Sequence, residues 1–160
     1  MSEMARHIRL SLRRATLVDG ERLLAWVNRP DSLAGKLRTT APIPRDTHLR
    51  WLAARLNDPD CRIHIIEQAG MPVGQLRLER IGAGYEIDIY LEPDARGRGL
   101  AAQAIRIAIA ERCRADPDCP IVARVKSDNA ESRRLFEAIG FALEPSTADH
   151  LLYRYPGQTS

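Results

Sequence analysis

Nowhere in this 160-residue chain is there an apolar run approaching the roughly 18 residues of a membrane span. Met1 to Arg9 lacks the apolar centre of a secretory leader, so a cytoplasmic chain is expected. Cysteine is scarce: Cys61, Cys113 and Cys119 are odd in number and lack metal-ligand spacing, which predicts reduced thiols. His7, His48, His64 and His150 stand singly, so no metal site is expected. There is no internal repeat, low-complexity tract or linker, and the whole of residues 1–160 reads as one domain. The formal net charge is only +3, and the arginines are spread along the chain rather than run together. That pattern does not support a nucleic-acid reader, which usually shows a basic face with aromatic platforms. It suits an arginine-lined site for an anionic small molecule.

What is present is 44% apolar and 28% charged residues, enough for a core beneath a charged surface. Residues His7 to Thr16 alternate Ile8, Leu10 and Leu12 with polar neighbours, as a strand does. A helix follows Asp19-Gly20, burying Leu23, Leu24 and Val27 and ending near Asn28-Arg29-Pro30. Residues 30–43 read as irregular. Pro44 starts a second helix with His48, Leu49, Leu52 and Leu56 in its stripe, stopped by Asn57-Asp58-Pro59. Three strands then form a meander: Arg62 to Gln68, Val73 to Ile81 and Tyr85 to Leu91, turned at Ala69-Gly70 and Gly82-Ala83-Gly84. In the last of them Tyr85, Ile87, Ile89 and Leu91 share one face, and Glu86, Asp88 and Tyr90 the other. A long helix runs from about Gly97 to Arg114, with Leu100, Ala101, Ala104, Ile105, Ala108 and Ile109 at helical spacing. A strand over Pro120 to Lys126 precedes a short helix capped by Asp128, with Glu131 reaching back, and closed by Gly140. A final strand, about His150 to Tyr155, leaves 156–160 as a flexible tail and a core of about 7–155.

The most informative segment is Arg96-Gly97-Arg98-Gly99-Leu100-Ala101, between a strand and a long helix. A helix start without bulky side chains presents unpaired N–H groups at the positive end of the helix dipole. Such a start can hold a diphosphate. The glycines permit the sharp turn and close approach of phosphate oxygens, while Arg96 and Arg98 add charge at the rim.

Arg96-x-x-Gly99-x-Ala101, followed by Val125-Lys126-Ser127-Asp128-Asn129-Ala130-Glu131-Ser132 through Leu135-Phe136-Glu137-Ala138-Ile139-Gly140-Phe141, resembles the GNAT superfamily of acetyl-CoA-dependent N-acetyltransferases. The resemblance implies an α+β fold, an α/β three-layer sandwich. Its mixed, mostly antiparallel sheet has about six to seven strands flanked by about four helices. The front half carries Leu23-Leu24-Ala25-Trp26-Val27-Asn28, Ile43-Pro44 to His48-x-x-Trp51, and Val73-Gly74-Gln75. It is similar to a bacterial subgroup that acetylates the nucleotide-linked amino sugar of pseudaminic acid biosynthesis. Less closely, it resembles acetyltransferases of protein N-termini on ribosomes.

The resemblance further implies acetyl-CoA as co-substrate and a small-molecule amine as partner, with no nucleic acid or membrane. Backbone amides from Gly97 to Ala101 would bind the pyrophosphate. The strand carrying Ile89, Tyr90 and Leu91 would splay from its neighbour near Ala123 to Val125, pair with the pantetheine arm and offer an N–H to the thioester oxygen. Asn129 would touch the pantetheine or adenosine side, unless it serves only as a turn or helix cap. Phe136 stands where many members carry a tyrosine that protonates the leaving thiolate, so it can pack against the cofactor but cannot act as that acid. Tyr90, Tyr85 and Ser132 are the alternative hydroxyls. An alkylammonium must lose a proton before attack, and Glu86, Asp88 and His48 are the candidate bases. Arg29, Arg38 and Arg77 could meet a nucleotide diphosphate. Transfer to protein α-amines and a non-catalytic acetyl-CoA sensor are the other readings, and edge strands near the C-terminus allow a homodimer.

Overall fold

The computed structural model describes residues 9–31, 41–145 and 150–156. Seven strands form one sheet: β1 (Leu10–Arg14), β2 (Cys61–Gln68), β3 (Met71–Ile81), β4 (Gly84–Leu91), β5 (Ile121–Lys126), β6 (Ala142–Glu144) and β7 (His150–Tyr155). Their order is β1-β2-β3-β4-β5-β7-β6, and every neighbouring pair is antiparallel except β4 and β5. A parallel pair needs a crossover, and helix α3 (Leu100–Ala115) supplies it. The β2–β3 hairpin turns at Ala69 and Gly70, both at positive φ (52° and 79°), as a two-residue turn between twisted strands requires.

Alternation along each strand divides the core in two. Tyr85, Ile87 and Leu91 of β4 join Ile66 and Leu76 beneath Leu100, Ala104, Ile105 and Ala108 of α3 and Phe136 of α4 (Ala130–Ile139). On the other face Tyr90, Ile63 and Ile65 meet Leu23 and Trp26 of α1 (Gly20–Val27) and Leu52 of α2 (Arg45–Leu56). The result is the expected three layers, with helices on both faces of a mixed sheet. Arg13 locks β1 to the start of α1. Its guanidinium forks onto Asp19 at 2.7 and 2.9 Å and also reaches Glu67 at 3.1 Å.

Several boundaries differ from the sequence expectation for identifiable reasons. Strand β1 spans Leu10–Arg14 rather than His7 to Thr16; His7 and Ile8 lie outside the described residues. The buried side of α1 is built on Leu23 and Trp26, because Trp26 rather than Leu24 or Val27 turns onto the sheet. Pro30 and Asp31 already have helical geometry. Helix α3 begins at Leu100, three residues later than expected, because Gly97 and Gly99 hold φ values of 77° and 76° that no right-handed helix accommodates. The cap of α4 is Asn129, not Asp128: its side chain accepts the Ser132 N–H at 3.1 Å. Strand β6 was absent from the sequence reading, since three residues carry too little alternation to register. Gly140 closes α4 as expected, with Phe141 N–H returning to the Phe136 carbonyl.

Candidate active site

Two features of the fold converge on Tyr90. The first is the edge of β4. The Glu92 N–H donates to the Val73 carbonyl of β3, whereas the Tyr85 N–H donates to the Pro120 carbonyl beside β5. Antiparallel alternation therefore turns the backbone of Tyr90, Asp88 and Glu86 towards β3, and that of Ile89 and Leu91 towards β5. The parallel ladder, however, consists only of Tyr85↔Ile121 and Glu86↔Val122. Beyond Glu86 the strands part, and the Ile89 and Leu91 amides open onto the gap. The Leu91 carbonyl accepts a bond from Arg96 Nε at 2.9 Å.

The glycine turn lies at the end of this edge. None of the N–H groups of Gly97, Arg98, Gly99, Leu100 and Ala101 donates a hydrogen bond among the described residues. A Cβ added at Gly97 or Gly99 would meet nothing within 4 Å. The turn is thus an open row of main-chain donors at a helix N-terminus, which fits a diphosphate. Arg96 is committed elsewhere: besides Leu91 it binds Asp31 at 2.6 Å and lies 5.3 Å over the Tyr90 ring, so it braces the turn against the strand. Arg98 donates to the Asp94 carbonyl at 3.2 Å.

The second feature is a pocket of about 40 Å³ on the opposite side of Tyr90, between the sheet and the helices α1 and α2. Trp26, Trp51 and Tyr90 wall it, and His48, Gln75 and Arg77 supply its polar groups. Both His48 Nε2 and the Tyr90 hydroxyl are buried without a hydrogen-bond partner among the described residues. Burial pushes the His48 imidazole below its ordinary value, against a weaker opposing pull from Glu21, so the ring is neutral near pH 7. It stacks on Trp51 at 5.6 Å. Burial also pushes the Tyr90 phenol up, keeping it protonated. Trp26 is fixed by its indole N–H, which donates to Glu92 at 2.8 Å, and Arg29 lies 3.9 Å from the same carboxylate.

Other predicted residues sit apart from this pocket. Glu86 occupies the start of the β4 split, where its carboxylate faces Arg124 at 3.6 Å. Asp88 lies 3.9 Å from Arg77. Tyr85 is on the α3 face, with the guanidinium groups of Arg80 and Arg112 at 5.3 and 4.3 Å from its ring centre. Phe136 is buried on that face too, edge-on to Phe141 at 5.0 Å. Asn129 and Ser132 form the α4 cap. Arg38 lies outside the described residues. Sequence reasoning assigned no role to Trp26, Trp51 or Gln75. These side chains reach the pocket from three different elements, and no spacing within one element marks them.

A mixed sheet split beside a glycine-rich helix start, with a pocket on the far side of the dividing strand, is the architecture of an acyl-CoA-dependent acyltransferase. The profile of the GNAT acetyltransferase domain matches residues 9–142, and the chain belongs to that family. It is accordingly an acetyltransferase with acetyl-CoA as co-substrate. No curated protein sequence matches it. Among solved structures, a domain from Methanocaldococcus jannaschii aligns with a TM-score of 0.80 at 20% identity, over 91% of this chain and 97% of that one. Spermidine N-acetyltransferase from Vibrio cholerae, in complex with CoA and spermine, gives 0.77 at 19%, over 91% and 92%. A ribosomal alpha-N-protein acetyltransferase in complex with coenzyme A gives 0.78 at 16%, over 91% and 92%. At these identities the likeness is one of fold. The acceptors named for these neighbours are not amino sugars, so the comparisons lend the amino-sugar subgroup no support.

Proposed function

We propose that the chain transfers acetyl from acetyl-CoA to the primary amine of a small molecule seated in the Trp26–Trp51–Tyr90 pocket. One observation carries this reading: two buried polar atoms, His48 Nε2 and Tyr90 Oη, belong to the lining of a single pocket without partners among the described residues, behind the β4 edge. An unsatisfied buried polar atom is costly, and a bound amine would satisfy both. Acetyl-CoA supplies an activated acyl thioester; the C–S bond breaks, a C–N bond forms, and the amine gives up a proton. His48, neutral at pH 7, takes that proton at Nε2. The Ile89 and Leu91 N–H groups stand where charge develops on an acyl oxygen. Amides from Gly97 to Ala101 hold the diphosphate. The protonated Tyr90 hydroxyl is the donor for the leaving thiolate, a role Phe136 cannot fill. In this reading Glu86 is not the base.

Three aromatic rings suit an acceptor with a ring-shaped or apolar body, and an amino sugar is the finer reading we favour. Polyamines, the acceptor class of the Vibrio cholerae neighbour, fit less well, because no Asp or Glu is among the pocket's described lining residues. The test is thiol release from acetyl-CoA with amino sugars, polyamines, simple alkylamines and peptides. Turnover of amino sugars, lost in His48→Gln with acetyl-CoA affinity retained, is expected. Cofactor binding without thiol release from any amine would instead indicate a sensor.

A further inference from the structure

We infer that the acceptor carries an anionic group, carboxylate or phosphate, and that Arg77 reads it; this rests on the reading of the pocket as the acceptor site. Arg77 projects from β3 into the same pocket as His48 and Tyr90. Its guanidinium lies 5.3 Å over the Trp51 ring, a cation–π contact that holds it against the pocket wall. Its ion-pair partners stand just beyond hydrogen-bond reach, Glu79 at 3.8 Å and Asp88 at 3.9 Å, and it donates no hydrogen bond among the described residues. Glu79 is held by Arg55 instead, at 2.6 Å. The contrast with other arginines is sharp: Arg13, Arg45 and Arg96 each grip a carboxylate at 2.7 Å or less.

Arg77 therefore lies over an aromatic face with two carboxylates just beyond hydrogen-bond reach, and among the described residues its fork of N–H donors is left for a ligand. That fork matches the two oxygens of a carboxylate or phosphate. A second ammonium on the acceptor would face this cation, and Glu79 and Asp88, both paired with Arg77, are not among the described lining residues. Gln75 lies two residues earlier on the same strand and pairs with Tyr90, while Arg77 pairs with Asp88. The floor thus carries a neutral amide beside Tyr90 and a cation one step further along β3. The acceptor would lie along the strand with its amine at His48 and its anion at Arg77.

Initial rates with acetyl-CoA test this on matched amines: glucosamine against glucosamine 6-phosphate, and butylamine against 4-aminobutyrate and putrescine. For the wild-type chain, kcat/KM is expected to favour an anionic amine over its neutral match by about tenfold, the size of a charge-assisted hydrogen bond. Putrescine should rank last. Arg77→Met should collapse that ratio through KM, and Arg77→Lys should restore it in part. Calorimetric acetyl-CoA affinity confirms that each variant is folded. The phosphate and carboxylate arms separate the two sources of anion. Equal rates for charged and neutral amines, or a ratio unchanged in Arg77→Met, overturns the role of Arg77 while leaving the acceptor pocket standing. Failure to turn over any amine overturns the pocket reading as well.

Discussion

His48 and His64 are both buried and both carry a ring nitrogen without a partner among the described residues, yet only His48 borders the pocket. Replacing His48 by Gln keeps the volume and removes the proposed base, so on that proposal kcat should fall by about 10²–10⁴ with little change in acetyl-CoA affinity. Because burial depresses the His48 pKa, the acid limb of the wild-type rate profile should lie below pH 6.5 and vanish in the variant. His64, on β2, has its pKa lowered first by burial, with Glu111 opposing. For both rings the unfolded chain binds a proton that the folded chain refuses. Stability is therefore complete above pH 6.5 and declines as pH falls towards the depressed folded values, by at most about 1.4 kcal/mol per pH unit for each histidine. Urea melts from pH 5 to 8 should show this slope, and His64→Phe should remove its share. At this scale the sequence offered His48 and Glu86 on equal terms, with Asp88 as a further candidate. Burial and pocket membership separate them, and neither property can be read from a residue's identity.

At the level of elements, the glycine turn was the most legible part of the chain. Its two glycines, spaced by one residue before an apolar helix, state a backbone requirement directly, and both take left-handed φ. The helix start was misjudged by three residues for the same reason, since those glycines lie outside the helix they introduce. Gly99→Val should cost about 1–2 kcal/mol of stability through backbone strain alone, because its Cβ would meet no neighbour. The larger effect is expected on the ligand: calorimetry should show acetyl-CoA binding weakened at least about tenfold as the side chain crowds the donors. Asn129 illustrates the opposite case. Its Oδ1 is the N-cap acceptor of α4, so Asn129→Ala should lower thermal stability by about 1 kcal/mol.

Across the whole molecule, the decisive feature is that β4 and β5 pair over two residues and then separate. Their separation leaves Ile89 and Leu91 without a ladder partner in β5 while the β3 ladder on the other edge stays intact. Gly74 keeps that ladder tight: a Cβ there would stand 2.1 Å from the Tyr90 carbonyl oxygen. Gly74→Ala should therefore force β3 away from β4 at Tyr90 and lower both stability and turnover, measured by denaturant melts and thiol release. A ligand that fills the split should stabilise the entire sheet. Acetyl-CoA at a hundred times its Kd is expected to add about 2.7 kcal/mol, seen as a rise in Tm.

The order of elements apart from β6, the meander, the glycine turn and the family were determined by sequence alone, because each rests on periodicity or on backbone demands that local residues express. Which side chains meet was decided by the tertiary structure. The pocket gathers His48 from a helix, Tyr90 and Arg77 from adjacent strands and Trp26 from another helix, and only packing across a twisted sheet brings groups so distant in sequence together.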